Sequence, residues 1–384
     1  MQRVLIIQHP DYLYYHDLSQ ACRTLGLEPL LAPCASEAEL DALLADFDRL
    51  HPDWVLNHPM VSPLVGRLGR LKNLPVAHWG ADKILNLDLL NRDLFSSQDR
   101  LFLTYREDVA KFRALGVTSH YLLNCHNLAQ RDTPSGVKTH AISFVGSAEL
   151  GPNNYFRLSM DHWAQRARAL SPDHVALFEL LRSLFLQALA GQDQATRRQI
   201  FLLPRLVAEL FREFGPLFQT MGLTQDYVTL LLGKEAASRQ RQSLLASLPH
   251  IDVFGPEDWQ SSGLENITWH GPVRQYDGSG AVFAASRINL HLGRIYCLDG
   301  LSDRVFNIPS SGGFLLANRH AALTEVLEED REVALFEDAQ ELNDKVRFYL
   351  ANDTARETIA ARGRQRVRND HGFAQRVREI LKYL

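Results

Sequence analysis

The chain is poor in cysteine and methionine, with four of each in 384 residues, and it has no long unbroken apolar run. Cys22, Cys34, Cys125 and Cys297 are far apart, with no CxxC pair and no histidine at zinc-ligand spacing beside them. That excludes a disulfide scaffold and a zinc ribbon, and reads as reduced thiols in a cytoplasmic protein. The most apolar stretch, "VALFELLRSLFLQALAG" from Val175, is interrupted by Glu179 and Arg182, so no transmembrane segment is expected. "RVLIIQ", Arg3 to Gln8, is short and followed by polar residues, as a first core strand is and a signal peptide is not. Charge of one sign is lacking too: 41 basic against 45 acidic residues leave −4, with no global basic field to recruit nucleic acid. The basic run "ARGRQRVR", Ala361 to Arg368, reads as a solvated helix face. No GxxxxGK[ST], HExxH or GxSxG occurs, against a P-loop NTPase, a zincin and an α/β-hydrolase. The only DxD, Asp46-Phe47-Asp48, sits in an amphipathic helical pattern, where residues two apart point in different directions. No metal site is therefore expected.

What is present is a βα rhythm. Strand patterns at "RVLIIQ", "WVLNH", "PVAHW" and "RLFLTY" alternate with helices such as "SEAELDALLADFDRL" and "EDVAKFRALG", as in an open, mostly parallel sheet. We read residues 1–135 as one such unit, closed by the polar linker "AQRDTPSGVKTH", Ala129 to His140. A second unit over 141–368 starts at "AISFVGS" and resumes the rhythm at "IDVFG", "ITWHG", "SRINLHL" and "GFLLAN". A helical insertion of about 155–242 interrupts it. Residues 369–384 form a C-terminal helix expected to pack back on the first unit. The fold class is thus α/β, two doubly wound domains facing each other.

Ligands of such sheets bind outside the carboxyl ends of the strands, so the loops there are the places to search. In "GLSDRVFNIPSSGG" the pattern predicts a short helix with Asp303 or Ser302 as N-cap. Arg304 in its first turn is placed to meet a diphosphate, Asn307 one turn on to meet a ribose hydroxyl, and Ser310, Gly312 and Gly313 close it. The plain alternative is a capped connecting helix and a glycine turn. Gly146 and Ser147, ending "SFVGS", let backbone approach phosphates, or simply make a tight turn. The loop "QHPDYLYYHD" is crowded with rings and donors suited to sugar or peptide recognition. His16, His78 and Asp82 lie where a base for an acceptor hydroxyl is needed, though each also has an ordinary structural reading.

From Gly271 to the C-terminus the pattern, including "LSDRVFNIPSSGGFLLANRH" and "VRFYLANDTARETIAARGRQRVRNDHG", resembles the C-terminal half of CgeB-like glycosyltransferases, within the broad GT-B group that includes GT4-like enzymes. "HPDWVLNHP" and "LPVAHWGADK" resemble two strand ends of that family's first domain. The resemblance implies two Rossmann-like domains, a nucleotide-sugar held mainly by the second, and an acceptor entering from the first. It implies that Arg304 contacts donor phosphate and that "HGPVRQY", His270 to Tyr276, is a base-contacting loop, with Val273 offering backbone bonds and Tyr276 a stacking face. The chain departs from the Glu-x7-Glu pattern of GT4-like enzymes, since those places read Gly300 and Asn307. The expected activity is metal-independent sugar transfer from a nucleoside-diphosphate-sugar, UDP-sugar first, to a hydroxyl of a protein or surface glycan, with no cofactor. An inactive binding partner on the same fold and a nucleotide-sugar epimerase are the alternatives. The insertion, with Arg197, Arg198, Arg205 and Arg212, is either an ordinary helical subdomain or a surface for a protein acceptor, a second copy or a membrane.

Overall fold

The computed structural model describes residues 1–9, 12–84, 87–127, 137–196, 199–274, 276 and 278–384. The first unit runs β1 (Arg3–Gln8), α1 (Tyr14–Thr24), β2 (Glu28–Pro33), α2 (Glu37–Leu50), β3 (Trp54–Asn57), α3 (Pro63–Lys72), β4 (Val76–Gly80), β5 (Asp99–Leu103), α4 (Arg106–Ala114) and β6 (Ser119–Tyr121). Its strands form one parallel sheet in the order β2-β1-β3-β4-β5-β6. Helices cover both faces, so the central strands are apolar throughout: Val4, Leu5, Ile6, Val55 and Leu56 are all fully buried. The sequence pattern did not predict β2. It is an edge strand carrying Pro29 and Pro33 and is half exposed, which a proline can tolerate only at an edge. The DxD lies on α2, where Ser36 caps the helix through the Glu39 N–H, 3.3 Å away, and Asp46 pairs with Arg49 at 2.5 Å.

The second unit begins with β7 (His140–Val145). Four long helices follow, α5 (Tyr155–Leu170), α6 (Pro172–Thr196), α7 (Leu203–Thr220) and α8 (Gln225–Ala246). The sheet then resumes with β8 (Ile251–Phe254), β9 (Ile267–Trp269), α9 (Ser279–Ala285), β10 (Ser286–His291), α10 (Arg304–Ser310), β11 (Leu315–Asn318), α11 (Ala321–Thr324) and β12 (Ala334–Phe336). Its order, β12-β11-β10-β7-β8-β9, is again all parallel. Helices α12 (Ala339–Ala351), α13 (Asp353–Asp370) and α14 (Phe373–Ile380) close the chain.

The four-helix block has its own core, in which Leu181, Phe185, Val207, Phe218 and Leu232 are buried. Ile295 and Tyr296, from the loop after β10, are buried in that same core and join it to the sheet. Helix α6 is longer than its interrupted sequence suggests: it has 25 residues, and an 18-residue stretch within it, with a mean hydropathy of 1.2, has the length and composition to cross a membrane. In the molecule its apolar side packs within the block. Arg205 pairs with Glu209 at 3.1 Å, while Arg197, Arg198 and the linker residues Ala129 to Gly136 lie outside the described residues.

Helix α14 crosses back to the first unit. Phe373, Val377 and Ile380 share an apolar cluster with Val4, Ile6 and Trp79. Buried Arg376 donates to the carbonyls of Leu123 and Asn124, at 3.0 and 2.9 Å.

Candidate functional site

A parallel sheet forms a crevice where its chain leaves a central strand in both directions. In the second sheet this happens between β7 and β10, so the loops at Gly146 and Ser147 and at Gly293 and Arg294 flank the gap. In the first sheet it happens between β1 and β3, placing Tyr12 and Tyr14 beside His58 and Pro59. These edges face each other across a cleft. It has an outer compartment of about 350 Å³ and an inner one of about 60 Å³, which share Tyr105, Arg294, Cys297, Ser302 and Arg304 as a common wall.

The inner compartment is cationic. Arg294 comes directly off β10 and is steadied by the burial of Ile295 and Tyr296 in the helical block. Arg241, buried on α8, donates to the Ser147 carbonyl. Glu149 lies 2.6 Å from Arg294 and 3.7 Å from Arg241, so one carboxylate serves two guanidinium groups. Arg304 is half-buried and forms no ion pair with a carboxylate among the described residues. The resulting field shows in His291: burial, then Arg304, His320, Arg241 and Arg294, hold its imidazole well below the usual histidine range. Among the described residues the inner compartment is lined by three arginines and no carboxylate, and Glu149 pairs with only two of them, so this compartment is short of negative charge.

The glycine loops are set by close approach. A Cβ on Gly255 would lie 2.0 Å from the Gly146 carbonyl, which also accepts from the Trp259 indole at 2.8 Å. The Ser147 hydroxyl is taken by Asp258 at 2.6 Å, so this residue reaches the compartment through its backbone and its place in the wall.

The outer compartment holds carboxylates. Asp82 is raised by the desolvating walls and then by Asp303, with Arg294 and Arg304 pulling it back. Tyr14 donates to Asp303 at 3.4 Å, and its phenol is raised by burial and by Asp303 and Asp82. Lys83 sits at the same wall; burial opposes its charge, but Asp299 and Glu107 outweigh burial and hold it protonated.

Several expected residues lie elsewhere. Asp303 does not cap α10, because its backbone is already helical and no side-chain cap bond forms; its carboxylate faces the cleft instead. Three N–H groups at the start of α10 are spent locally, that of Val305 on the Ser302 carbonyl at 3.2 Å and those of Phe306 and Asn307 on the Asp303 carbonyl at 2.9 and 2.8 Å. What this stretch presents to the cleft is therefore the Arg304 side chain, not a helix terminus. Asn307 is buried and bridges the units, accepting from the Asn127 N–H and donating to Asp303, both at 3.1 Å. Ser310 is fully buried, its carbonyl accepting from Arg368 at 2.7 Å. Gly312, with φ +81°, turns the chain beneath Arg364, and Gly313 packs on Asn289. None of these four lines the cleft, because α10 runs away from it. Position 300 cannot carry an acid: a Cβ there would meet the Thr104 carbonyl at 2.4 Å, where the two units touch.

His16 is exposed on α1, and His78 is buried within β4, where burial pushes its pKa down to about 3; neither reaches either compartment. Val273 is half-exposed outside both. Tyr276 reaches across the units to donate to Asp17 at 2.9 Å and meets Tyr14 edge-on. Of the residues expected from sequence, the cleft gathers Asp82, Gly146, Ser147 and Arg304. Arg294, Arg241, Glu149 and Asp303 were missed. Arg294 had a signal, being the first cation after a strand at the sheet's switch point; Arg241 had none beyond an arginine among apolar helical residues.

Comparison with known proteins agrees with the fold. Residues 236–382 match the family described as glycosyl transferase-like. No curated protein sequence matches the chain. Among solved structures, Anabaena HepE in complex with UDP-glucose is similar over 100% of both chains, with a TM-score of 0.53 at 12% identity. Sucrose-phosphate synthase from Thermosynechococcus elongatus is similar over 100% of this chain and 98% of its own, with a TM-score of 0.55 at 10% identity. The two facing six-stranded parallel sheets are the GT-B fold.

Proposed function

We propose that the protein is a glycosyltransferase of the CgeB-like kind, moving a sugar from a nucleoside-diphosphate-sugar to an acceptor hydroxyl of a protein or surface glycan. The observation that carries this reading is Arg304, which forms no ion pair among the described residues, beside Arg294 and Arg241 at the wall between the two compartments. A diphosphate in the inner compartment supplies the negative charge that the three arginines lack. They stabilise it as leaving group electrostatically, so the transfer needs no metal ion at the phosphates. The acceptor enters the outer compartment, where its oxygen bonds to the anomeric carbon as the bond to the diphosphate breaks. Asp82 takes the hydroxyl proton, and its raised pKa suits a base that must hold a proton in the transition state. UDP-sugars are the first donors to try, because the fold neighbour HepE was crystallised with UDP-glucose.

A second reading, a GT-B protein without turnover, is favoured by one observation: neither Gly300 nor the tied-up Asn307 can act as an acid. The test is UDP release from UDP-sugars, with and without added acceptors, in wild type and Asp82→Asn. Turnover that falls about 100-fold or more in the variant, with UDP binding kept, supports transfer. No turnover with any donor, alongside normal nucleotide binding, sinks it in favour of the inactive partner.

A further inference from the structure

We infer a divalent transition-metal site on the second sheet, outside the sugar-nucleotide cleft, formed by His140, Asp252 and His270. His140 opens β7, Asp252 lies in β8 and His270 directly follows β9, where its N–H still donates to the Val253 carbonyl at 3.0 Å. One ligand atom from each residue lies within 4.8 Å of the other two. Asp252 Oδ2 is 3.0 Å from His140 Nδ1, and Oδ1 is 2.6 Å from His270 Nε2. Ligand atoms bound tetrahedrally at zinc-type distances are about 3.3 Å apart, so small side-chain movements admit an ion among them.

The rings are held for this use. Phe254, two residues beyond Asp252 and hence on the same sheet face, stacks on His270 at 4.7 Å and 12° and meets His140 edge-on at 5.2 Å. Exposure differs across the set: the Asp252 side chain is 15% accessible and that of His270 is 34%. The site is therefore walled on the sheet side and open on the other, where water completes the coordination. His250, two residues before Asp252, lies beyond it with Nε2 3.3 Å from Thr268 Oγ1. Two imidazole nitrogens and one carboxylate suit zinc, cobalt or nickel, whereas magnesium and calcium require oxygen ligands. None of the three residues lines either compartment of the cleft. A bound ion cross-links β7, β8 and the three-residue edge strand β9. It also fixes the start of the loop that leads to Tyr276.

The inference is independent of the donor reading, and its test uses no substrate. The untagged full chain, stripped with a chelator, is titrated with cobalt(II) and followed by visible absorbance and by thermal unfolding. We expect one saturable equivalent, displaced by zinc and not by magnesium, with a raised unfolding midpoint. His270→Asn, at a partly exposed position, and Asp252→Asn each weaken cobalt binding at least about tenfold, while His162→Ala, on exposed α5 surface, leaves it unchanged. His270→Asn keeps the fold testable if Asp252→Asn unfolds. Absence of saturable binding, or binding equal in wild type and His270→Asn, overturns the site and leaves a hydrogen-bonded His–Asp–His set.

Discussion

Replacing Arg304 by alanine separates nucleotide binding from folding. The side chain forms no ion pair among the described residues, so its removal breaks no salt bridge; it relieves repulsion from Arg294 and Arg241 and gives up the attraction to Asp82, two effects that oppose each other. We expect the unfolding free energy of the free protein to change by no more than about 0.5 kcal/mol. Binding is another matter. A hydrogen bond to a charged group contributes about 1.5–3 kcal/mol, so UDP affinity should fall about 10- to 150-fold. Arg294→Ala is the contrasting case. It takes away the partner 2.6 Å from Glu149, whose Oε2 is already buried without a hydrogen bond among the described residues, and leaves Arg241, at 3.7 Å, as the one cation still paired with it there. That variant should lose both affinity and stability. Calorimetric titration with UDP, beside chemical unfolding of the ligand-free proteins, reads both quantities. Affinity for UDP within about twofold of wild type in Arg304→Ala would refute the charge argument. So would a stability loss as large as that of Arg294→Ala.

Acid should unfold the protein through its buried histidines. Burial holds His58, His78 and His371 down to about 3, below the ordinary histidine value near 6.5, so the folded state binds fewer protons than the unfolded state between those limits. Their contribution is complete above pH 6.5 and is lost as pH falls towards 3, by about 1.4 kcal/mol each at pH 5.5. Urea midpoints at pH 7.5 and 5.5 check this, and equal midpoints would contradict it. Phe373→Ala should cost about 3–5 kcal/mol, because the ring is buried against Trp79, at 5.5 Å, and His58, at 5.8 Å, where α14 returns to the first unit. A loss below about 1 kcal/mol would mean that α14 is not docked there.

The sheets were legible because a strand buried on both faces is written locally, as in "RVLIIQ" and "SRINLHL". The loops that matter were legible for the same reason: a strand's carboxyl end is a local feature, and it led to Gly146, Ser147, Asp82 and Arg304. The edge strand β2 was hidden by its prolines, and α6 looked interrupted because two charges fall within a helix that buries only one side.

What the residues do in the cleft depends on contacts far along the chain, and those belong to the tertiary structure alone. Arg241 reaches the carbonyl of a residue 94 positions away only because the helical block docks on the sheet. Asn307 looked like a ribose contact until packing gave both ends of its amide to Asn127 and Asp303. The cap expected at Asp303 became a carboxylate in the cleft because its backbone turned helical one residue early. His140, Asp252 and His270 share no spacing that marks a ligand set, and they meet only because β7, β8 and β9 are neighbours in one sheet. By itself the sequence determined the elements and the edges at which a ligand can sit, because backbone conformation and apolar periodicity are local. Which side chains remain free to meet that ligand was decided by the tertiary structure, since a polar group is available only when no distant partner has claimed it.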